Sequence, residues 1–93
     1  MHFFYLVTIM LVLVANCNGE KDDCPLYDTE LTGPDFSRYA PATFWEHCGH
    51  TCSEDDNCFY WTWDSTSEKC HLKQEKGENK DATGAISGSK DCF

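Results

Sequence analysis

Aliphatic residues are scarce in most of this chain. After residue 19, 74 residues follow without a single valine or methionine, and their branched aliphatic residues are only Leu26, Leu31, Leu72 and Ile86. A domain of this size rarely gains more than about 3–5 kcal/mol from its core. Ten aromatic residues in the same segment must therefore supply much of the buried surface, and the fold needs further support.

Positive charge is also in short supply. The chain has 7 Lys and Arg residues against 16 Asp and Glu residues, which gives a formal net charge of −9. A nucleic-acid-binding protein needs a basic face to meet phosphates, and docking on anionic lipid has the same requirement. The composition therefore argues against a nucleic-acid partner and against electrostatic attachment to a membrane.

The sequence has one long hydrophobic run, at residues 3–15. It is too short to span a bilayer, which takes about 20 residues, but it is typical of the hydrophobic region of a secretory signal peptide. Cleavage after Gly19 would leave Glu20 first, and cleavage after Cys17 is an alternative, as is an uncleaved anchor or a buried segment. We predict a signal peptide over residues 1–19 and a secreted, extracellular domain over residues 20–93, with no membrane insertion after cleavage.

Six cysteines follow the predicted signal peptide. An even number in a small exported chain predicts three disulfide bonds, which can form in 15 ways. His47, His50 and His71 raise the alternative of a zinc site, but the cysteine spacings do not match the usual metal-binding pairs. We therefore predict no metal and no cofactor. We also expect the domain to be folded when oxidised and largely unfolded when reduced.

The clearest predicted helix follows residues 40–42. Thr43 and Glu46 are spaced as a capping box, in which each side chain bonds the other residue's backbone N–H. Phe44, Cys48 and Cys52 would then lie on one face, toward the core. The helix is expected to end in the polar turn at residues 53–57. Before it, residues 31–35 form a turn signal between two short extended pieces.

An aromatic strand is predicted at residues 58–63. Alternation places Phe59, Trp61 and Trp63 on one face and Tyr60 and Thr62 on the other. A hairpin turn at residues 64–68 and a return strand at residues 69–73 follow, with Cys70 and Leu72 sharing a face. Residues 74–83 are predicted to form a polar loop, and residues 84–88 a last short strand.

These elements, taken in order, resemble the PAN/apple domain family. The likeness covers residues 24–92 and rests on the following motifs: Gly33-x-Asp35, Cys48-x-x-x-Cys52 on a helix, Cys58 before an aromatic strand, Trp61-Thr62-Trp63-Asp64, Cys70-x-Leu72-Lys73, Ile86-Ser87-Gly88 and Cys92. The resemblance implies an α+β fold, a small disulfide-rich domain in which a twisted antiparallel sheet cradles one α-helix. A large residue, Tyr60, stands where the family often has a small one, which puts the local packing of the strand in question.

The resemblance also implies how the cysteines pair and what kind of activity to expect. The bridges would be Cys24–Cys92, Cys48–Cys70 and Cys52–Cys58. PAN/apple domains are regarded as modules that bind proteins or carbohydrates and have no activity of their own. The residues agree, because no nucleophile elbow or phosphate-binding loop is present and the cysteines are expected to be oxidised. We therefore predict no catalytic residues.

Four residues are candidate ligand contacts. Trp45 lies beside the predicted helix stripe, where an exposed indole would suit sugar stacking, although covering the edge of a thin core is the alternative. Tyr60 and Thr62 share the strand face away from Trp61, and Lys73 borders the polar loop. The histidines are interpreted as surface residues, and the acidic run at residues 54–56 lacks the spacing of a calcium-binding loop.

Three functional hypotheses follow. The first is a secreted, non-enzymatic module that recognises an extracellular carbohydrate or protein. The second is an acidic structural component of an extracellular or mineralised matrix, and the third is a secreted effector or toxin that blocks a host protein. The net charge of −9 is compatible with each, because it also keeps a small protein soluble. The sequence leaves the ligand and the oligomeric state open.

Overall fold

The computed structural model describes residues 24–93, and the predicted signal peptide at residues 1–19 lies outside them. The described part contains strands β1 (Leu26–Leu31) and β2 (Asp35–Tyr39), helix α1 (Trp45–Glu54), strands β3 (Tyr60–Asp64), β4 (Lys69–Lys73) and β5 (Asn79–Ser89), and a 3-10 turn at Lys90–Cys92. No helix in these residues is long and apolar enough to cross a membrane.

The five strands form one sheet in the order β1-β5-β3-β4-β2. Every neighbouring pair is antiparallel. Helix α1 packs on β3, β4 and β5, so it covers one face of the sheet. The predicted fold class, an antiparallel sheet cradling a single helix, is confirmed.

The core lies between α1 and the sheet and is centred on the fully buried Trp61. In the β3–β4 hairpin Trp61 lies opposite Leu72, and Trp63 lies opposite Cys70, so these four side chains share the helix-facing side. Both indoles have hydrogen-bond acceptors, because Trp61 Nε1 donates to the Ser89 carbonyl and Trp63 Nε1 to the Ala42 carbonyl. The tryptophans therefore replace the missing aliphatic residues without leaving a buried N–H unpaired.

Three disulfide bonds join the elements. Cys48–Cys70 ties α1 to β4, Cys52–Cys58 closes the turn between α1 and β3, and Cys24–Cys92 joins the two ends of the described chain. These are the pairs that the family resemblance implies. The four cysteines of the first two bridges are completely buried, so they form part of the core as well as cross-linking it.

The predicted start of the helix is wrong. Phe44 is the N-cap residue, its backbone is extended, and no side chain caps the helix. Thr43 thus lies one residue too early to form the capping box with Glu46. The buried face shifts with the start: Phe44 is 64% exposed, and Trp45 instead packs against the core with Cys48 and Cys52. Spacings of three and seven residues from Trp45 fit a helix that begins at position 45.

Two strand predictions also need correction. Phe59 lies before β3 and is exposed, so it does not share the core face with Trp61. The segment expected as a polar loop contains the first half of β5, which pairs with β1 through Leu31 opposite Asn79 and Glu30 opposite Lys80. These strand residues are polar because this part of β5 pairs with β1 alone and extends beyond β3. Gly84, with φ of 85°, separates the two halves of β5.

Candidate functional site

A polar cleft opens on the sheet face opposite α1. It has a volume of about 170 Å³ and lies between the β1–β5 ribbon and the β3–β4 hairpin. Side chains that alternate with the core residues of β3 and β4 point into it. The cleft is bounded by Glu30, Leu31, Thr62, Asp64, His71, Lys73, Ala82, Thr83 and Ala85.

Thr62 forms the floor of this cleft and is 5% exposed. Its hydroxyl oxygen accepts a hydrogen bond from the Leu31 N–H at 3.1 Å and lies 2.8 Å from the Ser87 hydroxyl. Because Ser87 donates its own proton to the Thr29 carbonyl at 2.7 Å, Thr62 must be the donor to Ser87. The relay joins β1, β3 and β5, so the Thr62 hydroxyl proton is already engaged within the protein.

Lys73, Asp35 and His71 form a charged network beside the floor. Lys73 is 6% exposed, and its ammonium donates to the Gly33 carbonyl at 2.7 Å and to one oxygen of Asp35. His71 Nδ1 lies 2.8 Å from the other oxygen of Asp35. The network joins the edge strand β2 to β4. It also neutralises the charge of Lys73, which is the one Lys or Arg that borders the cleft.

The pKa of Asp35 lies below its ordinary value of 3.8. Partial burial acts to raise it, but the hydrogen bonds and charges of Lys73 and His71 outweigh burial and lower it. Asp35 is therefore a carboxylate at neutral pH and can only accept hydrogen bonds. The proton in the hydrogen bond between Asp35 and His71 must then be bonded to His71 Nδ1.

Two carboxylates occupy the rim. Burial acts to raise the pKa of Asp64, but hydrogen bonds from the backbone N–H of Thr66 and from Ser67 lower it below its ordinary value. The Thr66 N–H lies 2.9 Å from Asp64 Oδ1. On the other side of the cleft, Glu30 lies 3.5 Å from the exposed ammonium of Lys80. The rim thus offers charged oxygen acceptors that suit the hydroxyl groups of a ligand.

The four predicted ligand contacts do not form one site. Thr62 and Lys73 border the cleft, whereas Tyr60 and Trp45 do not. Tyr60 is half-buried on β3, opposite Lys73, and faces away from the core, so its size does not disturb the packing around Trp61. Trp45 lies on the other side of the sheet, with its ring stacked on Trp61 at 5.9 Å between centroids.

The histidines were predicted to be surface residues, and this is correct for two of the three. His47 and His50 are exposed on α1, but His71 is partly buried and engaged with Asp35. The sequence reasoning missed Asp64 and Glu30 as cleft residues, and Asp35 as the partner of Lys73 and His71 beside the cleft. Alternation along the hairpin could have indicated Asp64 and His71, since both lie on the Thr62 face. In residues 24–93, no group of three or more His, Cys, Asp or Glu side chains could hold a metal ion.

A second surface lies along one side of α1, where Phe93 packs against Trp45 and His50, and we call these three residues the aromatic surface. The Phe93 ring is 5.8 Å from Trp45 and 4.3 Å from His50. A Cβ atom on Gly49 would overlap the Phe93 ring, so only glycine lets Phe93 rest on the helix at this point. Phe93 is still 44% exposed, and Phe44 is more exposed than that.

Comparison with solved structures places this arrangement among known domains. The two N-terminal apple domains of Toxoplasma gondii microneme protein 4 match with a TM-score of 0.63 and 28% identity, over 72% of this chain and 42% of that one. A PAN module from Eimeria tenella matches with a TM-score of 0.56 and 29% identity, over 75% of this chain and 81% of that one. The described residues have the PAN/apple fold. The structure of a TgMIC4-A5/lacto-N-biose complex shares the fold at 18% identity and a TM-score of 0.62, over 70% of this chain and 93% of that one.

Sequence comparison leads to one of the same proteins. No protein-family model matches the chain. Among curated proteins, micronemal protein 4 of Toxoplasma gondii is 30% identical over 59 residues, which is 63% of this chain and 10% of that protein. The chain therefore spans about a tenth of the length of this curated relative.

Proposed function

We propose that this PAN/apple domain is a secreted, non-enzymatic module that binds an extracellular carbohydrate. The proposal includes the signal peptide at residues 1–19 and a single domain over residues 20–93. The observation that carries it is the polar cleft opposite α1, where carboxylate, imidazole and hydroxyl groups surround a small opening. Carboxylates accept hydrogen bonds from the hydroxyls of a sugar, and the Thr83 hydroxyl beside them can donate one.

The size of the cleft supports a small ligand. Sites for drug-sized molecules usually measure about 300–1,000 Å³, whereas this cleft has about 170 Å³. The volume of a single sugar ring at the end of a glycan is in this smaller range. The rest of the glycan would extend into solvent. The relay through Thr62 and the network around Asp35 hold the floor in place before a ligand arrives, which lowers the entropy cost of binding.

The comparisons favour a carbohydrate over other small ligands. A domain of the same fold is described in complex with lacto-N-biose. At 18% identity that likeness is one of fold, so it supports the ligand class and does not assign contacts in this chain. The secreted location is supported by the similarity to a microneme protein and by the hydrophobic leader.

A glycan array probed with the secreted product of the full chain tests the proposal. We expect a confined set of bound sugars. The Ala82→Phe variant, which places a ring at the wall of the cleft, should weaken binding at least about tenfold, whereas Asn79→Phe on the same strand but outside the cleft should not. An empty array from protein with native disulfides, or equal effects of the two variants, would contradict the proposal.

A protein partner is the second candidate function, favoured by the partly exposed aromatic surface together with the exposed Phe44. Exposed aromatic side chains are common anchors of protein interfaces. If a protein partner binds there, Phe44→Ser should weaken that complex and leave the glycan profile unchanged. The two functions are thus separable, because their surfaces lie on opposite faces of the sheet.

A further inference from the structure

We propose that Asp64 makes the cleft selective for uncharged terminal sugars and causes it to reject sugars that carry a carboxylate or a sulfate. This inference rests on the proposed glycan function and specifies the class of sugar. It follows from a count of which charges around the cleft are already neutralised and which one is not.

The lysine that borders the cleft is engaged within the protein. Of the nine residues that border it, Lys73 is the only Lys or Arg, and its ammonium is bonded to Asp35 and to a backbone carbonyl. Moving Lys73 toward an acidic ligand would leave Asp35 without its main cation in a partly buried position. Lys73 therefore cannot serve as the counter-ion of an acidic sugar without a large cost.

Glu30 and Lys80 cancel each other at one side of the rim. Their charged atoms lie 3.5 Å apart, and both side chains reach solvent. His71, at the other side, directs its Nδ1 proton at Asp35, so that donor is unavailable to a ligand. Neither Lys80 nor His71 thus presents an uncompensated positive charge to a ligand.

Asp64 is the charge that is left over. Its carboxylate accepts hydrogen bonds from the Thr66 backbone N–H and from Ser67, neutral partners that lower its pKa without cancelling its charge. The charge of His71 also lowers the pKa of Asp64, but His71 is already paired with Asp35. A ligand in the cleft would lie well inside the distance at which salt screens charges, which is about 8 Å at physiological ionic strength. An acidic sugar would therefore be repelled, while an uncharged sugar could donate its hydroxyl protons to the carboxylate.

The test compares pairs of immobilised glycans that differ only by one sialic acid or one sulfate, among them lacto-N-biose and its sialylated form. We expect the unmodified member of each bound pair to bind at least about tenfold more tightly. Asp64→Asn should reduce this ratio at least about threefold, because the amide keeps an acceptor for Thr66 and loses the charge. Asp56→Asn, the same change in the exposed turn after α1, serves as the matched control and should leave the ratio unchanged.

The possible failures are distinct. Equal or tighter binding of the acidic glycans would overturn the selectivity and leave the proposed function standing, while a ratio unaffected by Asp64→Asn would overturn the role of Asp64. Absence of binding to any glycan by the folded protein would overturn both proposals. If Asp64→Asn fails to fold, Glu30→Gln gives a second test, since freeing Lys80 should also favour acidic sugars.

Discussion

At the scale of single residues, Asp35 joins more of the molecule than any sequence pattern suggested. One of its oxygens binds the ammonium of Lys73 and the other binds His71, and it lies on the edge strand β2 while both partners lie on β4. Lys73 is only 6% exposed, and this carboxylate compensates the charge of its ammonium. The pair therefore controls both the stability of the sheet edge and the charge of the cleft floor.

Removing Asp35 should be costly. We expect Asp35→Ala to lower the free energy of unfolding by about 3 kcal/mol, because it leaves a buried ammonium without its anion. Urea unfolding of the oxidised protein measures the change. The double variant Asp35→Ala/Lys73→Met should be more stable than Asp35→Ala alone, and a double variant that is less stable would contradict this explanation.

The same residue should make stability depend on pH. The pKa of Asp35 is lower in the folded protein than its ordinary value of 3.8, so the unfolded chain binds more protons between the two values. The contribution of Asp35 is therefore complete above about pH 5 and is lost as the pH falls through the folded pKa. Unfolding curves at a series of pH values should show a shallower acid dependence for Asp35→Asn than for the native sequence, and parallel curves would rule this contribution out.

At the scale of elements, the start of α1 decides which aromatic residue enters the core. An extended Phe44 places the first helical residue at Trp45, whose ring stacks on Trp61 at an interplanar angle of 7°. Phe44, one position earlier, is left 64% exposed. The capping box predicted from Thr43 and Glu46 failed because spacing alone does not fix where the backbone turns into a helix.

Substitution at these two neighbours should have unequal effects. Trp45→Ala should lower the free energy of unfolding by about 3 kcal/mol, since it removes an aromatic ring packed against the core. Phe44→Ala should change it by less than about 0.5 kcal/mol, as expected for an exposed position. Thermal and urea unfolding of both variants measure the difference, and comparable losses would show that Phe44 also stabilises the fold. Loss of binding in Trp45→Ala would therefore not by itself identify a ligand contact.

At the scale of the whole molecule, disulfides and tryptophans compensate for the shortage of aliphatic residues. Two of the three bridges lie in the core around Trp61, and the third connects the ends of the described chain. Six buried or partly buried cysteines in so small a core make the oxidised state part of the fold. The expectation that the reduced protein is largely unfolded stays a prediction.

The disulfide bonds should differ in how much they contribute to the free energy of unfolding. Cys24–Cys92 spans 68 residues of sequence and Cys52–Cys58 spans 6. Restriction of the unfolded chain gives about 4 kcal/mol for the long loop and about 2 kcal/mol for the short one. Replacing each pair by alanine and measuring urea unfolding should therefore show the larger loss for Cys24→Ala/Cys92→Ala. The reverse order would show that burial of Cys52 and Cys58 in the core outweighs the effect of loop length.

The sequence by itself determined the local pieces of this protein. The β3–β4 hairpin, the alternation of Trp61 and Trp63 with Thr62, and the position of one helix could all be predicted, because each depends on neighbours in the chain. The family resemblance carried the fold class and the cysteine pairs. The four candidate ligand contacts were chosen from local patterns, one residue at a time. They therefore included residues from both faces of the sheet.

Only the tertiary structure decided the site. The cleft forms where the β1–β5 ribbon meets the β3–β4 hairpin, and the Asp35–Lys73 pair joins residues 38 positions apart. The polar residues 79–83 looked like a loop because half of β5 pairs with β1 alone and buries little surface. Which charges cancel and which one is left at Asp64 depends on distances between strands, and a sequence read one segment at a time does not contain those distances.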